Sequence, residues 1–159
     1  MFGIKKTVLI FIILSLCVSL FGETKKLPES MLKLDIGKSR IEDLLKYNVP
    51  VIVDFGADWC GPCKAFHPTL EKIQEKYKGR IIIKYVDIDK HNDLLKGLPV
   101  QAVPTQMFWT KDGKPFVSKN RKDFLKFRDR KNKTLKYSYH VGGFKEKDLE
   151  SIIKEMGVK

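Results

Sequence analysis

Cys60 and Cys63 stand in the run WCGPCK with only Gly61 and Pro62 between them. Two sulfurs at that spacing admit three chemistries: a dithiol that exchanges with disulfides, half of a metal site, or a structural disulfide. Exchange needs one thiolate that attacks and a second sulfur close enough to release the mixed disulfide. Zinc wants four ligands, and His67, His91 and His140 are scattered along the chain, so no metal site is expected. A structural disulfide across two residues would close too short a loop to restrain the unfolded chain much.

The flanking residues say what positions the pair. VIVDF, residues 51–55, is an apolar, β-branched run that suits a buried strand. After Cys63, Phe66, Leu70, Ile73 and Tyr77 recur at helical steps, Pro68 falls inside that helix, where a kink is expected, and Gly79 closes it. Cys60 therefore sits at a helix N-terminus, where unpaired N–H groups and the helix dipole favour a thiolate. That lowers a thiol from about 8.5 into a range of roughly 3.5 to 7.5. Cys60 is the expected attacking residue and Cys63 the resolving one. Pro62 fits a first helical turn, where no N–H is needed.

Asp54 is out of place on a buried strand. Burial raises a carboxyl pKa, which suits Asp54 to accept the Cys63 proton. The competing reading is an aspartate that caps a local turn at the strand end.

The remaining pattern supplies a scaffold. Ser39 and Glu42 have capping-box spacing before a short helix from about Arg40 to Tyr47, stopped by Pro50. IIIKYVDI, residues 81–88, is a second buried strand, and a short helical stretch covers 92–96. Thr105 to Trp109 is a third strand, followed by an Asp112-Gly113 hairpin turn. Leu149, Ile152, Ile153 and Met156 mark one face of a last helix that ends at Gly157. Alternating strands and helices followed by a hairpin predict an α/β fold, a mixed β-sheet with helices on both faces.

The first 22 residues carry a different message. Lys5 and Lys6 precede a 15-residue uncharged run, Thr7 to Phe21, then Gly22. This is the pattern of a secretory signal, and the run is short for a retained membrane anchor, the alternative. Cys17 lies inside the run and is read as one of its apolar residues. Export would place the cysteine pair where disulfides persist.

Charge is uneven as well. The net charge is +12, and residues 111–140 hold 11 basic against 3 acidic residues. Leu135, Tyr137, Tyr139 and Val141 alternate with polar residues, so this stretch predicts an extended basic hairpin, with Phe124, Leu125 and Phe127 in its other arm or in a short helix. Three readings stand for the hairpin: a solvated feature, a dock for an acidic protein partner or anionic lipid, and, disfavoured by export, a nucleic-acid contact.

Together these motifs resemble the thioredoxin superfamily. WCGPCK is similar to its active-site motif, Asp54 to its buried acid, and Pro68 to its helix proline. Val103-Pro104-Thr105 is similar to its cis-proline loop, and Val141-Gly142 to the end of its last strand. The likeness covers about residues 35–110 and 139–157. It implies a thioredoxin fold over residues 23–159, with the basic insert at about 114–138. It also implies substrate contacts from Trp59, Gly61, Pro62, Val103, Pro104 and Gly142, and catalysis by Cys60, Cys63 and Asp54 with no cofactor. Two positions depart from the family pattern. Gly56 replaces a common aromatic, and Tyr85 stands where a lysine faces the buried acid, with Lys84 one step away on the opposite face.

Among family members, the likeness is greatest to extracytoplasmic bacterial thioredoxins. It implies an exported reductant of protein disulfides, recharged by a membrane thiol carrier, with apocytochrome c among the targets. The alternatives are an exported oxidant or isomerase, and a non-catalytic binding module.

Overall fold

Val51–Gly56 forms β1, and every one of its residues is buried, as its unbroken apolar run requires. In the computed structural model, residues 26–159 are described. The expected signal segment, residues 1–22, lies outside them. β1 pairs in parallel with β2, Ile82–Asp87, and antiparallel with β3, Thr105–Trp109. Beyond β3 lie β5, Leu135–Val141, and then β4, Leu125–Arg128, both antiparallel. The sheet order is β2-β1-β3-β5-β4.

Alternation along the strands divides the core into two layers. Ile52, Ile83 and Phe108 face α2, Gly61–Lys76, and α3, Glu146–Glu155. Val53, Phe55, Val86 and Met107 face the other side, against α1, Ile41–Leu44, and the N-terminal segment. This is the expected mixed sheet with helices on both faces, the thioredoxin fold. Among the described residues no helix is long and apolar enough to cross a membrane.

Five local details differ from expectation. The Ser39/Glu42 capping box is not the one formed. The helix starts at Ile41, which is buried, so its third residue is Asp43, whose carboxylate accepts the Arg40 N–H at 3.3 Å. The helix expected to reach Tyr47 tightens into a 3-10 turn at Leu45 and ends at Asn48, which adopts φ 55°.

The hairpin expected at Asp112-Gly113 closes, but only one bridge follows, Trp109 to Pro115, because β5 takes the same edge of β3 from Met107 onward. The chain then crosses the sheet end with Phe116 and Phe124 buried in the core. The basic hairpin is β4 and β5, so its second arm and the domain's last strand are one element. Only Tyr139–Val141 pairs with β3, and Leu135–Ser138 runs past it paired with β4 alone.

The polar-looking entry is also structured. Leu27, Met31 and Ile36 are buried. Lys84, fully buried on the face away from Asp54, donates to the carbonyls of Ser30, Lys33 and Asp35 at 2.6, 2.6 and 3.0 Å.

Candidate active site

β1 ends at Gly56, and four residues later the chain enters α2. That turn sets Cys60 as the helix N-cap, with extended backbone (φ −83°, ψ 107°). Its Sγ accepts the Cys63 N–H at 3.1 Å. One of the helix's unpaired N–H groups therefore points at the sulfur, the arrangement that stabilises a thiolate. Gly61 and Pro62 occupy the first turn, and the missing Pro62 N–H costs nothing there. The two cysteines are joined as a disulfide, Cα to Cα 5.2 Å. The pair shown is therefore the oxidised state.

Access to it is narrow. Cys60 is 4% exposed and Cys63 3%, packed with Ala57, Val103 and Ile88. The open side faces the loop before β3. The Val103-Pro104 peptide bond is cis, and the Val103 carbonyl oxygen lies 3.7 Å from Cys60 Sγ. Gly142, at φ +109°, donates its N–H to the Pro104 carbonyl at 2.8 Å. That backbone region favours glycine, so Gly142 ties the end of β5 to the proline loop. Trp59 is 67% exposed. Its indole N–H donates to Asp89 at 2.8 Å, which holds the ring at the rim. Trp59, Val103, Pro104 and Gly142 thus border the dithiol, with Gly61 and Pro62 exposed on the helix side.

Asp54 lies inside the sheet, 1% exposed, one strand from Tyr85 and one from Gln106. Burial pushes its carboxyl up to about 7, against a hydrogen bond from Gln106 Nε2 that pulls it down. That bond is 2.6 Å long. Gln106 Oε1 finds no donor among the described residues, so the amide serves the carboxyl through its nitrogen alone. A carboxyl near 7 holds and releases a proton at neutral pH. Sequence reading passed over Gln106, which sits in the expected strand TQMFW. The signal available was an amide in an otherwise apolar run.

The two departures from the family pattern are one feature. A Cβ on Gly56 would lie 2.6 Å from the Tyr85 ring. Tyr85 fills the space over Gly56 and stacks edge-on against His67, centroids 5.1 Å apart. An aromatic at 56 and a tyrosine at 85 exclude each other. Burial and the nearby Asp87 and Asp54 push the Tyr85 hydroxyl up to about 12, so it is neutral at pH 7. A cleft of about 320 Å³ between Tyr85, His67, Lys64 and Asp58 reaches Cys63. Among the described residues no three His, Cys, Asp or Glu side chains gather as metal ligands.

The thioredoxin family model matches residues 35–130. Thioredoxin from Borreliella burgdorferi is 48% identical over 43% of this chain and 59% of its own length. Bovine mitochondrial thioredoxin is 39% identical over 52% of this chain and 49% of its own. The match thus spans roughly half of these relatives. Thioredoxin from Mycoplasmoides gallisepticum is 36% identical over 56% of this chain and 94% of its own length. Among solved structures, a mutant thioredoxin from Halobacterium salinarum superposes with TM-score 0.55 at 24% identity, covering 77% of this chain and 87% of its own. At that identity the superposition speaks for the fold.

Proposed function

The chain belongs to the thioredoxin family, and from that premise we propose that it is a thiol:disulfide oxidoreductase that reduces disulfides in other proteins. The observation that carries this is the Cys60–Cys63 pair at the start of α2, with the Cys63 N–H on Cys60 Sγ and a buried carboxyl near pKa 7, Asp54, on the strand that leads into it.

In the reduced protein the Cys60 thiolate attacks one sulfur of a substrate disulfide. A mixed disulfide forms, and the substrate's other sulfur leaves as a thiolate and takes a proton. Asp54 accepts the Cys63 proton. The Cys63 thiolate then attacks Cys60 Sγ, and the second substrate sulfur leaves. The products are a substrate dithiol and the Cys60–Cys63 disulfide seen here. Two electrons have passed to the substrate, and a dithiol donor must return them. Backbone at Val103 and Gly142 offers hydrogen-bonding groups beside Cys60, where an extended substrate segment can pair.

The finer reading is that the protein acts outside the cytoplasm, that a membrane thiol carrier is the donor, and that apocytochrome c is among the substrates. The charged start and apolar run of residues 1–22 support export. The acid at Asp54 supports the reductive direction, because it readies Cys63 for release of substrate.

Turnover of a disulfide-bridged test protein checks the activity. The wild type reduces it with a dithiol donor, and Cys60→Ser abolishes the reaction. Cys63→Ser accumulates a mixed disulfide that a denaturing non-reducing gel resolves. No reduction by the wild type would leave a binding module as the better account. Cell fractionation tests export, with the mature chain expected outside the cytoplasmic membrane and its recovery in the cytosol counting against it.

A further inference from the structure

Trp59, Leu125, Phe127 and Val141 are the large apolar side chains left exposed among the described residues. Three of them share one face of the β4–β5 hairpin. Leu125 opposes Tyr139 and Phe127 opposes Tyr137, with the Phe127 and Tyr137 rings 6.0 Å apart. Val141 is two residues beyond Tyr139 on the same face. It opposes Thr105, the residue after Pro104. The stripe therefore starts at the redox groove and runs outward along the sheet. Its fourth member, Trp59, stands on the rim of that groove.

The other face of β4 carries charge. Every residue of β4 is exposed, and Lys126 alternates with Leu125 and Phe127. The hairpin's own carboxylates are spent. Asp123 pairs with Arg121, and Asp129 with Lys136. Among the described residues Lys122, Lys126, Arg130, Lys131 and Lys133 make no ion pair. β4 also ends the sheet, so outward N–H and C=O groups lie along it unpaired.

We propose that the hairpin docks an extended segment of a protein substrate, alternating apolar and acidic residues, as a sixth strand along β4. Apolar side chains of that segment lie beside Leu125 and Phe127, and its carboxylates beside Lys126 and the cations of the hairpin tip. A strand added outside β4 is three strand spacings from β3, about 14 Å. Roughly four extended residues bridge that gap from the sulfur at Cys60. Charge decides among occupants. A second copy of this chain would set one basic edge against another, and like charges across a strand pair repel. The edge geometry favours a peptide backbone, which supplies in-register hydrogen-bonding partners. This proposal rests on the disulfide-reductase reading, and its test separates the two.

Two synthetic disulfide peptides of equal length are compared as substrates of the full-length protein. One alternates valine and glutamate beside its disulfide, and the other has lysine for each glutamate. The expected result is kcat/KM at least about tenfold higher for the acidic peptide at low salt. Both Lys126→Glu and the double variant Leu125→Ser/Phe127→Ser should lose that preference while reducing a small aromatic disulfide at the wild-type rate. Equal rates for the two peptides, or a preference that survives both variants, would overturn the proposal. So would binding to phosphatidylserine vesicles that needs the hairpin and that the acidic peptide fails to displace. If the wild type reduces none of these disulfides, the reductase reading fails by itself. Fluorescence anisotropy of the labelled acidic peptide then decides docking: hairpin-dependent binding supports it, and none overturns it.

Discussion

At the scale of single residues, Asp54 ties stability to activity. Its folded carboxyl sits at about 7, above the ordinary 3.8, so the folded state holds this proton more tightly than the unfolded chain does. The cost of burying the ionised form is absent below about pH 4. It grows as pH rises towards 7 and is constant above, at about 4 kcal/mol. Asp54→Asn should therefore stabilise the oxidised protein at pH 8 and leave it nearly unchanged at pH 4, as read from denaturant midpoints. The same variant should slow protein-disulfide reduction at pH 7 by roughly a hundredfold, the low end of general-base effects. Gln106 acts through Asp54. Its amide stabilises the carboxylate, so Gln106→Leu should move the Asp54 titration, followed by carboxyl carbon NMR, to higher pH. The pH profile of reduction should move with it. An unmoved titration would reduce Gln106 to packing.

At the scale of elements, legibility followed pattern. β1, β3 and α2 were plain in the sequence because their apolar residues repeat at strand or helix spacing, and the dithiol was plain because its motif is contiguous. What stayed hidden depends on neighbours across the sheet. Nothing local shows that Gly56 and Tyr85 share one volume, that Lys84 anchors residues 30–35, or that Gln106 meets Asp54 from the neighbouring strand. The Asp112-Gly113 turn was legible, yet its hairpin stopped at Pro115 because β5, from far along the chain, holds the next stretch of that edge of β3. The Gly56–Tyr85 packing gives a direct check. Gly56→Ala pushes a methyl to 2.6 Å from the Tyr85 ring and should cost about 1–3 kcal/mol, as overpacking does. Tyr85→Ala in the same chain should recover much of that, so the double-mutant cycle should show strong coupling. Additive losses would mean that the ring gives way freely.

At the scale of the whole molecule, a sheet whose central strands β1 and β3 are buried on both faces holds the redox pair at one end, and an exposed basic hairpin extends its far edge. The N-terminal segment belongs to this unit through Lys84, whose three hydrogen bonds go to backbone carbonyls. Lys84→Met should loosen residues 27–36, seen as faster tryptic cleavage after Lys33, while α2 keeps its protection. The direction of electron flow is the property on which the account turns, and the reduction potential of the Cys60–Cys63 couple measures it. Equilibration with dithiol buffers, followed by tryptophan fluorescence, should give a value near or below about −250 mV, in the range of reducing thioredoxins. A value above roughly −180 mV would make the protein an oxidant or isomerase, and the role given to Asp54 in reduction would be wrong.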